Sequence, residues 1–199
     1  MHRRDVEIRL ASRLLPLDEI RAAPLTREAT PRGLRPAGVL VPIVDRPEGP
    51  TVLFTLRAKS LTKHAGQIAF PGGRVDPGDA DIVATALRET HEETGIAASF
   101  ITPIGGLEPV ESVTGFLMVP VVAIVREGFT AVANPGEVDA IFEAPLAFVT
   151  DAANQIRKSG TFTGIAREYY SITFGGYDIW GATARILVNF GRRLKAYAD

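Results

Sequence analysis

The chain of 199 residues contains no cysteine. Disulfides, thiolate nucleophiles, CxxC redox chemistry and zinc–cysteine sites are therefore excluded together. Only three histidines are present, so a bound metal would be held chiefly by oxygen. No uninterrupted apolar run approaches the ~20 residues a membrane helix requires, and no membrane partner is expected. Charge of neither sign dominates: 22 Lys+Arg stand against 23 Asp+Glu, a net of −1. That balance supplies no broad field for a polyanion, which argues against nucleic acid as a partner. The residues leave the oligomeric state open, a homodimer included.

The N-terminal stretch MHRRDVEIRLASRLLPL is arginine-rich, as transit peptides are. Asp5, Glu7, Asp18 and Glu19 interrupt it, and no apolar core with a small-residue cleavage site follows. The closing AYAD is neither a peroxisomal nor an ER-retention address. A cytoplasmic protein is the expectation. With 46% hydrophobic residues, a chain of this length can bury a sizeable core in one compact domain.

Residues 5–15 suit a short amphipathic helix, and 22–36, with three prolines, read as a linking segment on the surface of a solvated lead-in that spans 1–36. Residues 1–36 hold eight Arg against five acids, an excess that is either solvated or a basic patch for an anionic substrate. From Ala37, AGVLVPIV and TVLFTLR flank the turn cluster RPEGP and predict a hairpin. AGQIAF predicts a strand ending at Pro71-Gly72-Gly73. Residues 81–94 have helical period, 98–107 and 116–125 read as strands, and 144–149 as a turn or two of helix. Tyr169–Phe174 and Tyr177–Trp180 predict a second hairpin around Gly175-Gly176. Ile186, Leu187, Phe190, Leu194 and Tyr197 predict a closing helix. The sum is a mixed sheet with one helix in the middle of the sequence and one at its end.

The segment GGRVDPGDADIVATALRETHEETGI carries the chemistry. At about 100° per residue, Ile82, Val83, Ala86, Leu87 and Thr90 share one arc, and Glu89, Glu92 and Glu93 form a strip along its edge. Asp81, Ala84, Arg88 and His91 take the outer side. Glu89 with Glu93 is a like-charge i,i+4 pair and Glu89 with Glu92 an i,i+3 pair, each costing roughly 0.2–0.5 kcal/mol. The strip also sits in the C-terminal half of the helix, where the dipole disfavours anions by a further ~0.3–1 kcal/mol. A divalent cation reverses the sign of every one of these terms. An isolated Glu-Glu helix is more often a solvated face, with Arg88–Glu92 an ordinary ion pair. Here a glycine loop precedes it, and its carbonyls and Asp79 are within reach of the same ion.

These residues resemble the Nudix box, G-x5-E-x7-R-E-U-x-E-E-x-G-U with U aliphatic. Arg88, Glu89, Glu92, Glu93, Gly95 and Ile96 match, and Thr90 takes the aliphatic position. The first half departs: Asp79 stands for the first Glu, and eight residues rather than seven separate it from Arg88. That extra residue is similar to the coenzyme A pyrophosphatase subgroup, with its upstream signature L-L-T-x-R-[SA]-x3-R-x3-G-x3-F-P-G-G. Residues 53–73 keep every spacing of it, with Phe54 for the second Leu and Thr62 for the second Arg.

The resemblance implies an α/β (α+β type) Nudix fold, a mixed sheet sandwiched between helices. It divides the chain into an N-terminal helix and lead-in over 1–36 and a single hydrolase domain over 37–199. It implies a Nudix-type pyrophosphatase needing Mg²⁺ or Mn²⁺ that splits coenzyme A, or its derivatives, into 4′-phosphopantetheine and 3′,5′-ADP. ADP-ribose, NADH or another nucleoside diphosphate derivative is the alternative substrate, and a non-catalytic nucleotide sensor the alternative of another class. Glu89 and Glu93 are expected as metal ligands. Glu92 is expected as the base or as a ligand of a second ion, Glu137 as a second candidate base, and Arg88 as the group orienting a carboxylate. Arg57, Lys63, His64, Gln67, Gly72 and Gly73 are expected to meet the substrate. Tyr169, Tyr170 and Phe174 are candidates for stacking on adenine, although core packing is the commoner fate of such residues.

Overall fold

The computed structural model describes residues 10–162 and 164–196, together with Glu7. β1 (Arg35–Val44) and β2 (Thr51–Arg57) form the expected hairpin, with Ile43 opposite Val52 and Val44 opposite Thr51. On its other side β1 runs parallel to β7 (Phe116–Val125) over ten residue pairs, from Arg35–Phe116 to Val44–Val125. A central parallel pair is covered on both faces, which explains its unbroken apolar runs: β1 is buried at every position after Arg35. The short β3 (Ile68–Ala69) pairs with β2, and β4 (Gly72–Arg74) pairs antiparallel with β1. β5 (Ile101–Gly106), β6 (Val110–Glu111) and β8 (Val138–Pro145) complete the sheet on β7 and β2. The strand expected from residue 98 starts only at Ile101, after a 3-10 turn over Ala98–Phe100.

Helices lie on both faces, as the resemblance implies. One face packs Leu40, Leu53, Val119 and Val121 against Ile82, Val83 and Ala86 of α2 (Ile82–Thr94). The other packs Val39, Val41, Phe54 and Val122 against Ile186, Leu187 and Phe190 of α4 (Gly181–Ala196). Tyr197, expected at the end of that helix, lies outside the described residues. The helical turn expected near 144–149 is α3 (Leu146–Thr150). A second, three-stranded sheet contains β9 (Ile156–Phe162), β10 (Ile165–Phe174) and β11 (Tyr177–Trp180). Its Ile172 and Ile179 belong to the α4 core, and Tyr170 and Phe174 pack on the same side. Those two rings are therefore core partners, and Phe174 lies 5.2 Å from Phe148. Tyr169 points to the opposite face, beside Phe162 and Trp180.

The lead-in differs from its expectation as a solvated segment. Leu10, Leu14 and Ile20 are buried, and Leu15 exchanges two backbone bonds with Gly106, at 2.9 and 3.1 Å. The segment covers the outer edge of β5, which would otherwise expose unpaired N–H and C=O groups. α1 (Leu17–Arg21) follows. The basic excess is engaged within the fold: Arg21 pairs with Asp81, Arg32 with Glu111, and Arg35 lies 4.0 Å over the Phe116 ring. Of the helix expected over 5–15, Asp5, Val6, Ile8 and Arg9 lie outside the described residues; Glu7, Leu10 and Ala11 are helical, the chain turns at 12–14, and Leu15 already bridges to Gly106.

The seat of α2 on the sheet depends on Gly38. A Cβ there would stand 2.5 Å from the Ile82 carbonyl oxygen and 3.0 Å from the Ala86 nitrogen. Helix and strand backbones touch, leaving no room for a side chain. Gly38→Ala is therefore expected to lower stability by ~1–3 kcal/mol, the usual range for overpacking. Urea denaturation should show a lower midpoint with an unchanged m-value.

Candidate active site

α2 is delimited by local chemistry. The Asp81 carboxylate accepts a hydrogen bond from the Ala84 N–H at 2.8 Å, and Gly95, at φ 69°, ends the helix in the left-handed region. Between these caps the acidic strip takes three different environments. Glu93 is 2% exposed, Glu89 is half-buried and Glu92 faces solvent.

Arg88 organises this strip. Helical periodicity places it on the outer side, pointing away from the carboxylates, and the structure corrects that expectation. Its guanidinium reaches Asp79 with two bonds of 3.0 Å, Glu89 at 2.9 Å, Glu92 at 3.0 Å and the Arg74 carbonyl at 3.1 Å. The loop before the helix carries Asp79 back over the helix flank, and a helical projection contains no information about that loop. Arg88 does touch Glu92, as expected.

Asp79 is likewise reassigned from a group able to reach the metal to a clamp. Its oxygens are taken up by Arg88, by the Thr85 hydroxyl at 2.9 Å and by the Asp76 N–H at 2.9 Å. Chiefly through the Arg88 bonds, its pKa falls to about 2 despite burial. Thr85 was not a candidate from sequence, since a helical threonine is ordinarily silent.

Glu93 is the opposite case. Burial pushes its pKa up to about 8, with Arg57 opposing and Glu89 and Glu137 adding to the rise. Arg57 at the end of β2 stands 3.7 Å away, too long for a hydrogen bond. Glu93 Oε2 and Arg57 Nε are both buried without a partner. Unpartnered buried polar atoms are costly and rare, so this gap between opposite charges is a candidate binding position. Burial raises Glu89 as well, against the pull of Arg88.

Two loops close the site. At Gly73 a Cβ would fall 2.5 Å from the Glu89 carboxyl carbon, so only glycine leaves that carboxylate its place. Gly72 (φ 153°) is pressed equally closely onto Gly38 and Val39. On the other side, the Asn134 N–H donates to the Glu93 carbonyl at 3.0 Å and the Ala58 N–H to the Glu137 carbonyl at 2.9 Å. These bonds bring Glu137 within electrostatic reach of Glu89 and Glu93. Asn134 was not singled out from sequence, although an Asn before Pro-Gly is a turn signal; its side chain accepts from the Gly136 N–H at 3.2 Å.

The remaining candidates lie on the 58–67 turn. Lys63 and Thr62 are exposed. His64, at φ 58°, bonds through Nδ1 to Gln67 Oε1 at 2.8 Å. These two side chains satisfy each other and shape the turn that follows Arg57.

Among the described residues no trio of Asp, Glu or His is already gathered as a metal cluster; Arg88 draws Glu89 and Glu92 to itself. The donor set nevertheless fits a hard divalent cation. Glu89 and Glu93 are carboxylates one turn apart, an orphaned Glu93 oxygen is available, and the glycine loop admits close approach.

A NUDIX domain model matches residues 34–159. The chain is 45% identical over 157 residues to a Nudix hydrolase, NudL, of Cronobacter sakazakii that is itself described as uncharacterized, covering 77% of this chain and 79% of the relative. A NudL of Salmonella paratyphi B, described in the same words, is 44% identical over 153 residues with the same coverage. The fold is similar to a MutT/nudix family protein from Enterococcus faecalis, with a TM-score of 0.50 at 14% identity, covering 96% of this chain and 74% of that one.

Two outcomes follow from the opposed carboxylates. Asp79 has a depressed folded-state pKa, so its contribution is complete above its ordinary value of ~3.9 and is lost as pH falls through about 2. Asp79→Asn should cost on the order of 2 kcal/mol at neutral pH, with the difference shrinking between about pH 4 and pH 2 in denaturation curves. Glu93 has a raised pKa, so the unfolded chain loses its proton first and the penalty grows from ~4.3 up through about 8. Metal-free Glu93→Gln should therefore melt above the wild type at about pH 9 and level with it near pH 4.

Proposed function

The chain belongs to the Nudix hydrolase family, and we propose that it hydrolyses the diphosphate of coenzyme A, or of a derivative, to 4′-phosphopantetheine and 3′,5′-ADP. As a Nudix hydrolase it is an enzyme that cleaves a small nucleoside diphosphate derivative. The observation that supports the finer reading is where the residues 53–73 signature ends. Its Arg57 and Gly72-Gly73 stand directly against Glu93 and Glu89. Its Lys63 and Thr62 are exposed on the adjoining turn. Among the described residues no helix is long and apolar enough to cross a membrane.

Enzymes of this family generally use divalent metal ions; here Mg²⁺ or Mn²⁺ is proposed, held by Glu89 and Glu93. The ion supplies charge neutralisation on the phosphates and a water of lowered pKa. Arg57, partly exposed beside Glu93, binds a phosphate oxygen with its guanidinium. Arg88 fixes Glu89 and Glu92 in orientation by donating to each. Glu92 or Glu137 accepts the proton of the attacking water. Glu92 starts from an Arg88 bond and Glu137 from a loop tied to β2, so both are prepositioned. The missing side chain at Gly73 leaves the Glu89 carboxylate its place beside the glycine loop. Little covalent chemistry is required of the protein, because positioning and charge stabilisation dominate phosphoryl transfer.

Thr62 supports a second reading. A threonine cannot replace a planar, permanently charged fork, and Lys63 beside it offers only a point charge. ADP-ribose, NADH or another nucleoside diphosphate derivative is thus the competing substrate. Incubation with Mg²⁺ or Mn²⁺ and each substrate, with products identified by mass, separates the two. Coenzyme A should exceed ADP-ribose in kcat/KM, and Glu93→Gln and Glu89→Gln should each lower turnover by orders of magnitude. Near-normal activity in both variants would remove the metal assignment. Loss of the acidic limb of the pH–rate profile in only one of Glu92→Gln and Glu137→Gln identifies the base.

A further inference from the structure

α2 buries three threonines, Thr85, Thr90 and Thr94. A buried helical threonine ordinarily satisfies its hydroxyl on the carbonyl four residues earlier. Thr90 does so at Ala86 and Thr94 at Thr90, both at 2.6 Å. Thr85 departs from that pattern. Its hydroxyl lies 3.4 Å from the Asp81 carbonyl oxygen but 2.9 Å from Asp79 Oδ2. A hydroxyl has one proton to donate, and the nearer, charged acceptor takes it.

The carboxylate that Thr85 reaches is enclosed, its side chain only 6% exposed. Oδ2 accepts from Thr85, from the Asp76 N–H and from Arg88 Nη2, while Oδ1 accepts from Arg88 Nε. One edge of the planar guanidinium therefore rests on Asp79. The plane is rigid, so fixing that edge also fixes Nη1. That nitrogen donates to Glu89 at 2.9 Å and to Glu92 at 3.0 Å. Thr85 is itself pressed onto the sheet, since a Cβ at Gly38 of β1 would stand 3.1 Å from the Thr85 Cβ. One line of contacts runs from β1 through Thr85, Asp79 and Arg88 to two carboxylates of the strip.

We propose that Thr85 is a positioning residue of the hydrolase: its hydroxyl orients Asp79, Asp79 sets the plane of Arg88, and Arg88 sets where Glu89 and Glu92 stand. The inference rests on the reading above, in which Glu89 holds the ion and Glu92 is a candidate base. Without the Thr85 bond, Asp79 keeps its charge and its attraction to Arg88 but gains rotation about its last torsion. That rotation tilts the guanidinium and carries Nη1 away from the glutamates. The effect falls on the reacting arrangement rather than on substrate affinity, because Thr85 is fully buried and cannot meet the substrate.

Thr85→Val removes the hydroxyl and keeps the branched shape. It should lower kcat about tenfold while KM for coenzyme A changes by less than about twofold. In the substrate-free protein, calorimetric titration with Mn²⁺ should show about tenfold weaker binding. Thr85→Ser returns the hydroxyl and should restore both quantities. Thr90→Val removes a hydroxyl at equal burial in the same helix, bonded only to the Ala86 carbonyl, and should leave both unchanged. Each variant is measured well below its own melting midpoint, and Thr85→Ala serves if the valine variant does not fold. Wild-type kcat and Mn²⁺ affinity in Thr85→Val overturn the proposal. So does an equal loss in Thr90→Val, or a loss that Thr85→Ser does not reverse. If the wild type leaves coenzyme A intact, only the coenzyme A reading fails. The Mn²⁺ titration, and kcat on the diphosphate that is cleaved, then decide the role of Thr85.

Discussion

The Arg88 guanidinium holds the catalytic segment in one arrangement. Without it, Glu89, Glu92 and Glu93 crowd the C-terminal half of one helix against both their mutual repulsion and the helix dipole. Arg88 offsets that repulsion by bonding two of the three carboxylates while gripping Asp79 with a planar two-bond fork. The same side chain takes the Arg74 carbonyl, so the strand end, the loop and the helix become one unit. Lysine could not substitute, since a point charge lacks the geometry to satisfy groups on four sides.

That unit leaves one carboxylate deliberately uncompensated. Glu93 is enclosed by Arg57 on β2, the glycine loop and the 134–137 segment, yet none of them completes its hydrogen bonding. The fold tolerates this because the surroundings are fastened by backbone bonds, Asn134 to Glu93 and Ala58 to Glu137, and cannot collapse onto the carboxylate. Destabilisation concentrated at one buried group, on a scaffold built around the close Gly38 contact, is what the proposed cation and diphosphate would relieve.

Much of this was legible in the order of residues. The β1–β2 hairpin, the β7 strand, the α2 helix, the Gly-Gly turn and α4 all follow from periodicity and turn chemistry, because each is specified by residues close together in the chain. β8 and β9 were not legible. VDAIFEAP and IRKSGTF lack clean alternation, and their strand character comes from pairing with β2 and β10. The lead-in was misjudged for a related reason: Leu10, Leu14 and Ile20 are sparse among arginines, and only the open edge of β5 gives them something to bury against.

By itself the sequence determined which residue types are present and at what intervals: three glutamates on one helical strip, a glycine loop before it, and a signature upstream. These are local properties, set by 3.6-residue periodicity and by backbone freedom at glycine. Only the tertiary structure decided which groups meet. Asp79 became a clamp rather than a reach toward the ion, Arg88 turned toward the strip, Arg57 came to stand beside Glu93, and Tyr169 parted from Tyr170 and Phe174 to face the other side of its sheet. Charge partners and burial are set by chain segments tens of residues apart, and no local pattern encodes their distance.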